Sequence, residues 1–140
     1  YVQTQKCIVD LKMDESYIHP EAPDKLLDLV GSCRVVVTGS YHAAVFALSQ
    51  GVPVVALAAN PYYYAKFNGL ICSFGDGVRM VDLGARDGSA MTSLVEAVRM
   101  QWEVNDDKRS GWVQQSMRIA DKVRNFYAET LNLLTSKQTV

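Results

Sequence analysis

The most continuous apolar pattern in the chain runs from Val35 to Leu57. Val35, Val36 and Val37 are three β-branched residues in a row, the composition of a strand buried on both faces. Thr38-Gly39-Ser40 follows as a turn, in which Gly39 is free to take unusual backbone angles and Ser40 is placed to cap a helix. Ala43, Ala44, Phe46, Ala47 and Leu48 then form a helix that is small and apolar on nearly every face. Gly51 ends it, and Pro53 opens a second strand, Val54 to Leu57. The pattern is strand, turn, helix, turn, strand.

Either side, the periodicity is clear in most places. Residues 1 to 13 alternate only weakly, through Val2, Cys7, Ile8, Val9 and Leu11. Tyr17 to Pro20 reads as extended, because Pro20 steers His19 away from helix. Pro23 to Val30 reads as a short helix with Leu26, Leu27 and Val30 inward, stopped by Gly31. Asn60-Pro61 marks a turn and helix start, with Tyr63, Phe67 and Leu70 on one face. Ser73 to Gly77 is a turn, and Val78 to Leu83 alternates as a short strand at a sheet edge. After a polar loop from Gly84 to Ser89, Met91 to Val104 reads as an amphipathic helix with Leu94, Val95, Val98 and Trp102 on its apolar side. Asn105-Asp106-Asp107 interrupts the pattern. Ser110 to Leu134 is the longest helical run, carrying Trp112, Met117, Ala120, Val123, Phe126, Tyr127 and Leu131. Thr135 to Val140 reads as a mobile tail. Strands alternating with helices through short glycine-bearing turns predict an α/β, Rossmann-like, three-layer αβα fold. It has a small, mainly parallel sheet with the C-terminal helices packed on it or reaching to a partner domain.

Composition narrows the class. The 140 residues are 49% apolar and 21% charged, with a net charge of −1. That length suffices for a single domain with a real core, residues 1–140. Balanced charge offers no basic face for nucleic acid. Apolar runs are broken well short of a membrane span, and no signal-peptide pattern is present at the start. The chain opens on Tyr1, which is the expectation for a piece of a longer protein. Cys7, Cys33 and Cys72 are three in number without CxxC spacing, and the two histidines lie far apart. No metal site is expected, and the cysteines read as buried free thiols of a reducing compartment.

Candidate chemistry concentrates in the central stretch. His42 is a polar group in apolar surroundings, just after a buried strand and at a helix N-terminus, where open α/β sheets place their ligands. Histidine titrates near neutral pH, so His42 is a candidate acid or hydrogen-bond donor. A core histidine satisfied by a carbonyl is the plain alternative. Gly39 and Ser40 can present backbone N–H groups and a hydroxyl to a phosphate, or can be an ordinary capped turn. Neither a Walker loop nor a dinucleotide fingerprint is present, so no cofactor is expected. Lys66, following Tyr62, Tyr63 and Tyr64, can reach the same end of the sheet; otherwise it is a snorkelling lysine among aromatics. Asp10, Asp14 and Glu15 read as a solvated face, His19 as a loop residue, and Asp76 as a turn former. Trp102 and Trp112 read as core or domain-interface residues. Arg79, Arg86, Arg118 and Arg124 are further cations that no spacing singles out.

Thr38-Gly39-Ser40-Tyr41-His42-Ala43-Ala44, then Ala47-Leu48 and Gly51-Val52-Pro53-Val54-Val55, resembles the C-terminal half of the polysaccharide pyruvyl transferase family. The likeness is good over roughly residues 30 to 75. That resemblance implies one half of a GT-B-like arrangement, two Rossmann-like halves facing a cleft, with a missing N-terminal domain as the partner. It implies transfer of a pyruvyl group from phosphoenolpyruvate to a sugar of a cell-surface polysaccharide, in the cytoplasm or at the inner membrane face where the acceptor lies. By the same resemblance His42 is the acid or donor ligand, and Gly39, Ser40, Tyr41 and Lys66 contact the donor. The family motif carries Arg-Leu before the histidine, and this chain has Ser40-Tyr41. Ser40 supplies a hydroxyl but no charge. Two other readings share the fold: a glycosyltransferase using a nucleotide sugar, which wants a late ribose-binding glutamate and ranks second because Glu96 and Glu103 lie too far along, and a non-catalytic binding domain.

Overall fold

The computed structural model describes residues 23–84 and 88–136. The readings made for residues 1–22, including Cys7, Asp10, Asp14, Glu15 and His19, lie outside them, as do Arg86 and residues 137–140. Helix α1 spans Pro23–Gly31, strand β1 Val36–Thr38, helix α2 Tyr41–Ser49, and strand β2 Val54–Ala58. Helix α3 spans Pro61–Phe74, followed by one 3-10 turn at Gly75–Gly77 and strand β3, Val78–Asp82. Helices α4, Ser89–Trp102, and α5, Asp106–Ser136, complete the order.

The three strands pair in sequence order, β1-β2-β3, and both pairings are parallel. Parallel neighbours need a crossover, which α2 and α3 supply. Because side chains alternate across a strand, β2 feeds two cores. Val54, Ala56 and Ala58 join Val78, Ala44, Ala47, Leu48, Phe67, Leu70 and Trp112 on the face covered by α1, α2, α3 and the first part of α5. Val55 joins Val81 and Ala97 on the opposite face, under α4. This is the α/β, Rossmann-like layering the sequence predicts, on a small open sheet.

Local chemistry explains the element ends. Ser40 and Asn60 sit in extended backbone as N-caps of α2 and α3, and Pro61 occupies the first turn of α3. Gly51, at φ 72°, closes α2 in the left-handed region. A Cβ there would also sit 2.7 Å from the Arg109 carbonyl oxygen, so α5 packs directly on this turn. Gly39 does not have a positive φ, and a Cβ on it would meet only the Leu57 carbonyl at 3.6 Å. Its expected special backbone is not used.

Four further expectations are corrected. β1 is not buried on both faces: Val37 is 45% exposed, since among the described residues no element covers it on the α4 side. In α4 the inward positions are Leu94, Ala97, Val98 and Gln101, not Val95 and Trp102. Gln101 is 1% exposed, and its Nε2 donates to the carbonyls of Val54 and Asp76, each at 3.1 Å. A buried amide with two acceptors is tolerated there, and it turns the helix so that Trp102 faces outward. The Asn105–Asp107 segment is a helix start and not a break: Asn105 Oδ1 accepts from Lys108 N at 3.1 Å, and the two aspartates fill the first turn. Helix α5 buries Trp112 and exposes Met117, Val123, Phe126, Tyr127 and Leu131. Of the cysteines, Cys33 is half-buried and Cys72 is exposed, against the expectation of buried thiols. No described helix is long and apolar enough to cross a membrane.

Candidate functional site

The carboxyl ends of the three strands form one edge, and the sequence-predicted residues gather there. Ser40 N donates to Thr38 Oγ1 at 2.9 Å, which tightens the turn after β1. Ser40 Oγ accepts from Ala43 N at 3.5 Å, a long cap bond. The first-turn amides of Tyr41 and His42 therefore remain directed along the axis at the positive end of the α2 dipole. Ser40's own amide, a candidate phosphate donor, is already engaged with Thr38.

His42 lies at the second position of α2 and is exposed. It is not a core histidine held by a carbonyl. Its ring meets the Tyr41 ring edge-on, with centroids 6.0 Å apart and planes at 84°. Tyr41 is half-buried, one flank against the core and one toward the edge.

Helix α3 brings Lys66 to the same place. Asn60 Oδ1 accepts from Tyr63 N at 3.2 Å and so fixes where the helix starts. Helical side chains lean toward the N-terminus, so a lysine four residues after Tyr62 folds back over it. The Lys66 Nζ stands 4.6 Å from the Tyr62 ring centre and 5.2 Å from that of Tyr41. Hydrogen bonding to the Tyr62 hydroxyl holds this ammonium above the usual lysine range, and the neighbouring phenols add to it. The ammonium is half-exposed and charged at any physiological pH. Tyr63 is stacked on Phe67 at 6.2 Å and belongs to the core.

The structure thus brings Gly39, Ser40, Tyr41, His42 and Lys66 to one edge, linked through the Tyr41 ring. It adds a pair that sequence reasoning missed. Asp82 ends β3, accepts from Gly84 N at 2.6 Å, and is hydrogen-bonded to Tyr64, whose phenol it pushes above the usual tyrosine range. The available signal was positional: Asp82 is the last residue of a strand whose carboxyl end faces the edge. Three other candidate cations among the described residues lie elsewhere. Arg79 projects from mid-β3, Arg118 lies on α5, and Arg124 pairs with Asp121 at 2.9 Å. Glu96 sits mid-way along α4 in a shallow groove with Met91, Val95 and Arg99, and Glu103 follows the far end of that helix. Neither glutamate stands at the edge that holds His42.

The model of the polysaccharide pyruvyl transferase family matches residues 7–61, the same family that the sequence resembles. The match contains Gly39, Ser40, Tyr41 and His42 and stops before Lys66. No curated protein and no solved structure matches the chain.

Proposed function

We propose that this chain is the donor-side half of a pyruvyl transferase, acting with a second, N-terminal domain of a GT-B-like pair. Its donor is phosphoenolpyruvate and its acceptor a sugar of a cell-surface polysaccharide, met in the cytoplasm or at the inner face of the membrane. In this transfer two sugar hydroxyls add at the enol carbon, a proton goes to the methylene carbon, and phosphate leaves with the other proton. An acid and an anion clamp are the groups such a step needs. His42 is the acid or donor ligand. The free amides of the α2 N-terminus, Gly39, Ser40, Tyr41 and Lys66 hold the phosphate and carboxylate. The observation that carries this reading is the exposure of His42 at a helix N-terminus inside the family-matched span, next to Tyr41, whose ring the Lys66 ammonium faces. The exposed apolar side of α5, in line with the side that packs on the domain through Trp112 and Ile119, supports a second domain docking there. A nucleotide-sugar reading has less support, since Glu96 and Glu103 are away from the edge.

Calorimetric titration of the chain with phosphoenolpyruvate, and separately with nucleotide sugars, tests the proposal. Phosphoenolpyruvate is expected to bind, and His42→Ala to weaken it. In the full two-domain enzyme the same substitution should slow transfer by roughly 100- to 10,000-fold. Binding that is unchanged in His42→Ala removes the site. Heat with a nucleotide sugar alone replaces the donor.

A further inference from the structure

The turn that opens the site carries no cation of its own. Thr38, Gly39 and Ser40 are neutral, and the amides of one helix end balance only about half a charge. Among the described residues, the ammonium that reaches the first residue of this helix is that of Lys66, on a neighbouring helix. A lysine side chain has four rotatable bonds and adopts many positions when free. Here two aromatic rings from two different helices flank its ammonium, at 4.6 and 5.2 Å. Tyr62 lies on the same helix, four residues earlier. Tyr41 is the first residue of α2, next to His42. Both distances are within the range for attraction between a cation and a ring. Tyr62 is also 62% exposed and is not among the side chains packed on the core.

We propose that Tyr62 and Tyr41 are positioning residues whose rings bracket the Lys66 ammonium and hold it beside the α2 N-terminus, as the cation that this turn lacks. The inference rests on the donor reading above, adds Tyr62 to it and reassigns Tyr41 from contact with the donor to holding Lys66. Tyr41 thereby has its role through Lys66 and not by direct contact with the donor. An anion arriving at the helix end meets an ammonium whose rotamer is already set, so less ordering is needed on binding.

Two measurements on the chain test this. The first reads the clamp without any donor: the rate at which an amine-acylating ester modifies Lys66 at pH 8, followed by peptide mass mapping. Tyr62→Leu is expected to speed it several-fold, because the amine is freed from the ring and deprotonates more readily. An unchanged rate overturns the clamp whatever the donor does. The second reads phosphoenolpyruvate affinity by calorimetry. Tyr62→Leu and Tyr41→Leu should each weaken binding about three- to tenfold, while Tyr62→Phe, which keeps the ring, should weaken it less. In a Lys66→Met background Tyr62→Leu should have no further effect. An equal loss in both backgrounds shows that Tyr62 acts through packing and overturns the positioning role. Faster acylation together with no phosphoenolpyruvate binding, even by the unsubstituted chain, leaves the clamp standing and removes the donor reading.

Discussion

The two ends of the sheet are built from the same three βα units and differ in nearly every other respect. At the amino end, each strand entrance is fastened. Gln101 bridges the carbonyls of Val54 and Asp76, and Lys108 pairs with Asp76. Trp112 lies so close to Gly77 that a Cβ there would stand 2.8 Å from its ring. The Arg34 guanidinium donates to the carbonyls of Trp102 and Val104 at 2.7 to 3.0 Å, tying β1 to the end of α4. At the carboxyl end the hydrogen bonds of the turns are short and local, at Ser40, Asn60 and Asp82. Gly39, Ser40, His42, Asn60 and Tyr62 are exposed there. Long-range ties are thus placed at the amino end, which leaves the carboxyl end free to present polar groups that contribute little to stability. Loops at the carboxyl ends of parallel strands hold ligands for this reason: a rigid scaffold is anchored elsewhere.

The comparison breaks most visibly at Trp112. Its ring is 6% exposed, wedged between Gly77 and Leu48, and it is the main anchor of α5. Trp112→Ala is expected to cost about 3–5 kcal/mol, seen as a lower urea midpoint. Phosphoenolpyruvate affinity of the molecules that remain folded should hold, because Trp112 is remote from the carboxyl edge. A drop in affinity among folded molecules would mean that the two ends are coupled and that the division drawn here is false.

A smaller effect is expected at Gln101. Replacing it with Leu removes two hydrogen bonds while filling much of the same space. Two buried carbonyls lose a donor, and a loss of roughly 1–3 kcal/mol follows. Denaturant melts of Gln101→Leu and Gln101→Ala separate the hydrogen-bond loss from the cavity. Equal stability of Gln101→Leu and the unsubstituted chain would show that the amide is incidental to the fastening.

These two residues also show what the sequence could convey. The valine runs, Gly51 and Pro53, and the caps Ser40 and Asn60 are local signals, and each placed its element correctly. Placing His42, Ser40 and Lys66 at one edge followed from topology, because parallel strands put all their carboxyl ends together. Gln101 was illegible because a pattern of apolar positions sees a polar residue as outward. Two carbonyls from distant segments, at 3.1 Å each, make it inward instead. The exposure of the outer half of α5 was illegible for a different reason. Its apolar face continues that of Trp112 and Ile119, but 31 residues of helix span roughly 46 Å. The sheet beneath has three strands, and the helix runs past the body it packs on. Periodicity reports which face is apolar and says nothing of how far the partner extends. The Tyr62–Lys66 spacing of four was legible as a local pair, whereas the Tyr41 ring on the other side required the crossover of β2.

The smallest expected effect lies at the carboxyl end, at the pair of Tyr64 and Asp82. Asp82 accepts from Gly84 N and from the Tyr64 hydroxyl, so ionising Tyr64 would set a phenolate beside a carboxylate. The folded state therefore keeps the Tyr64 proton above the ordinary value of 10.0. In the unfolded chain the phenol ionises at that ordinary value. Above it the unfolded state holds fewer protons than the folded one, so stability falls as pH rises. Lys66 has the same sign, starting from 10.5, since its folded-state ammonium is also favoured. Both contributions are complete below about pH 9 and are lost through the alkaline range. Tyr64→Phe removes one of them. Urea melts at pH 8 and pH 11 should show a shallower alkaline loss in Tyr64→Phe than in the unsubstituted chain, with little difference between the two at pH 8. Because both groups are solvent-accessible, the difference should also shrink in high salt. An alkaline loss of the same size in Tyr64→Phe would mean that the phenol titrates alike folded and unfolded. The Asp82 contact would then hold nothing at this edge, and the caps alone would keep it in place.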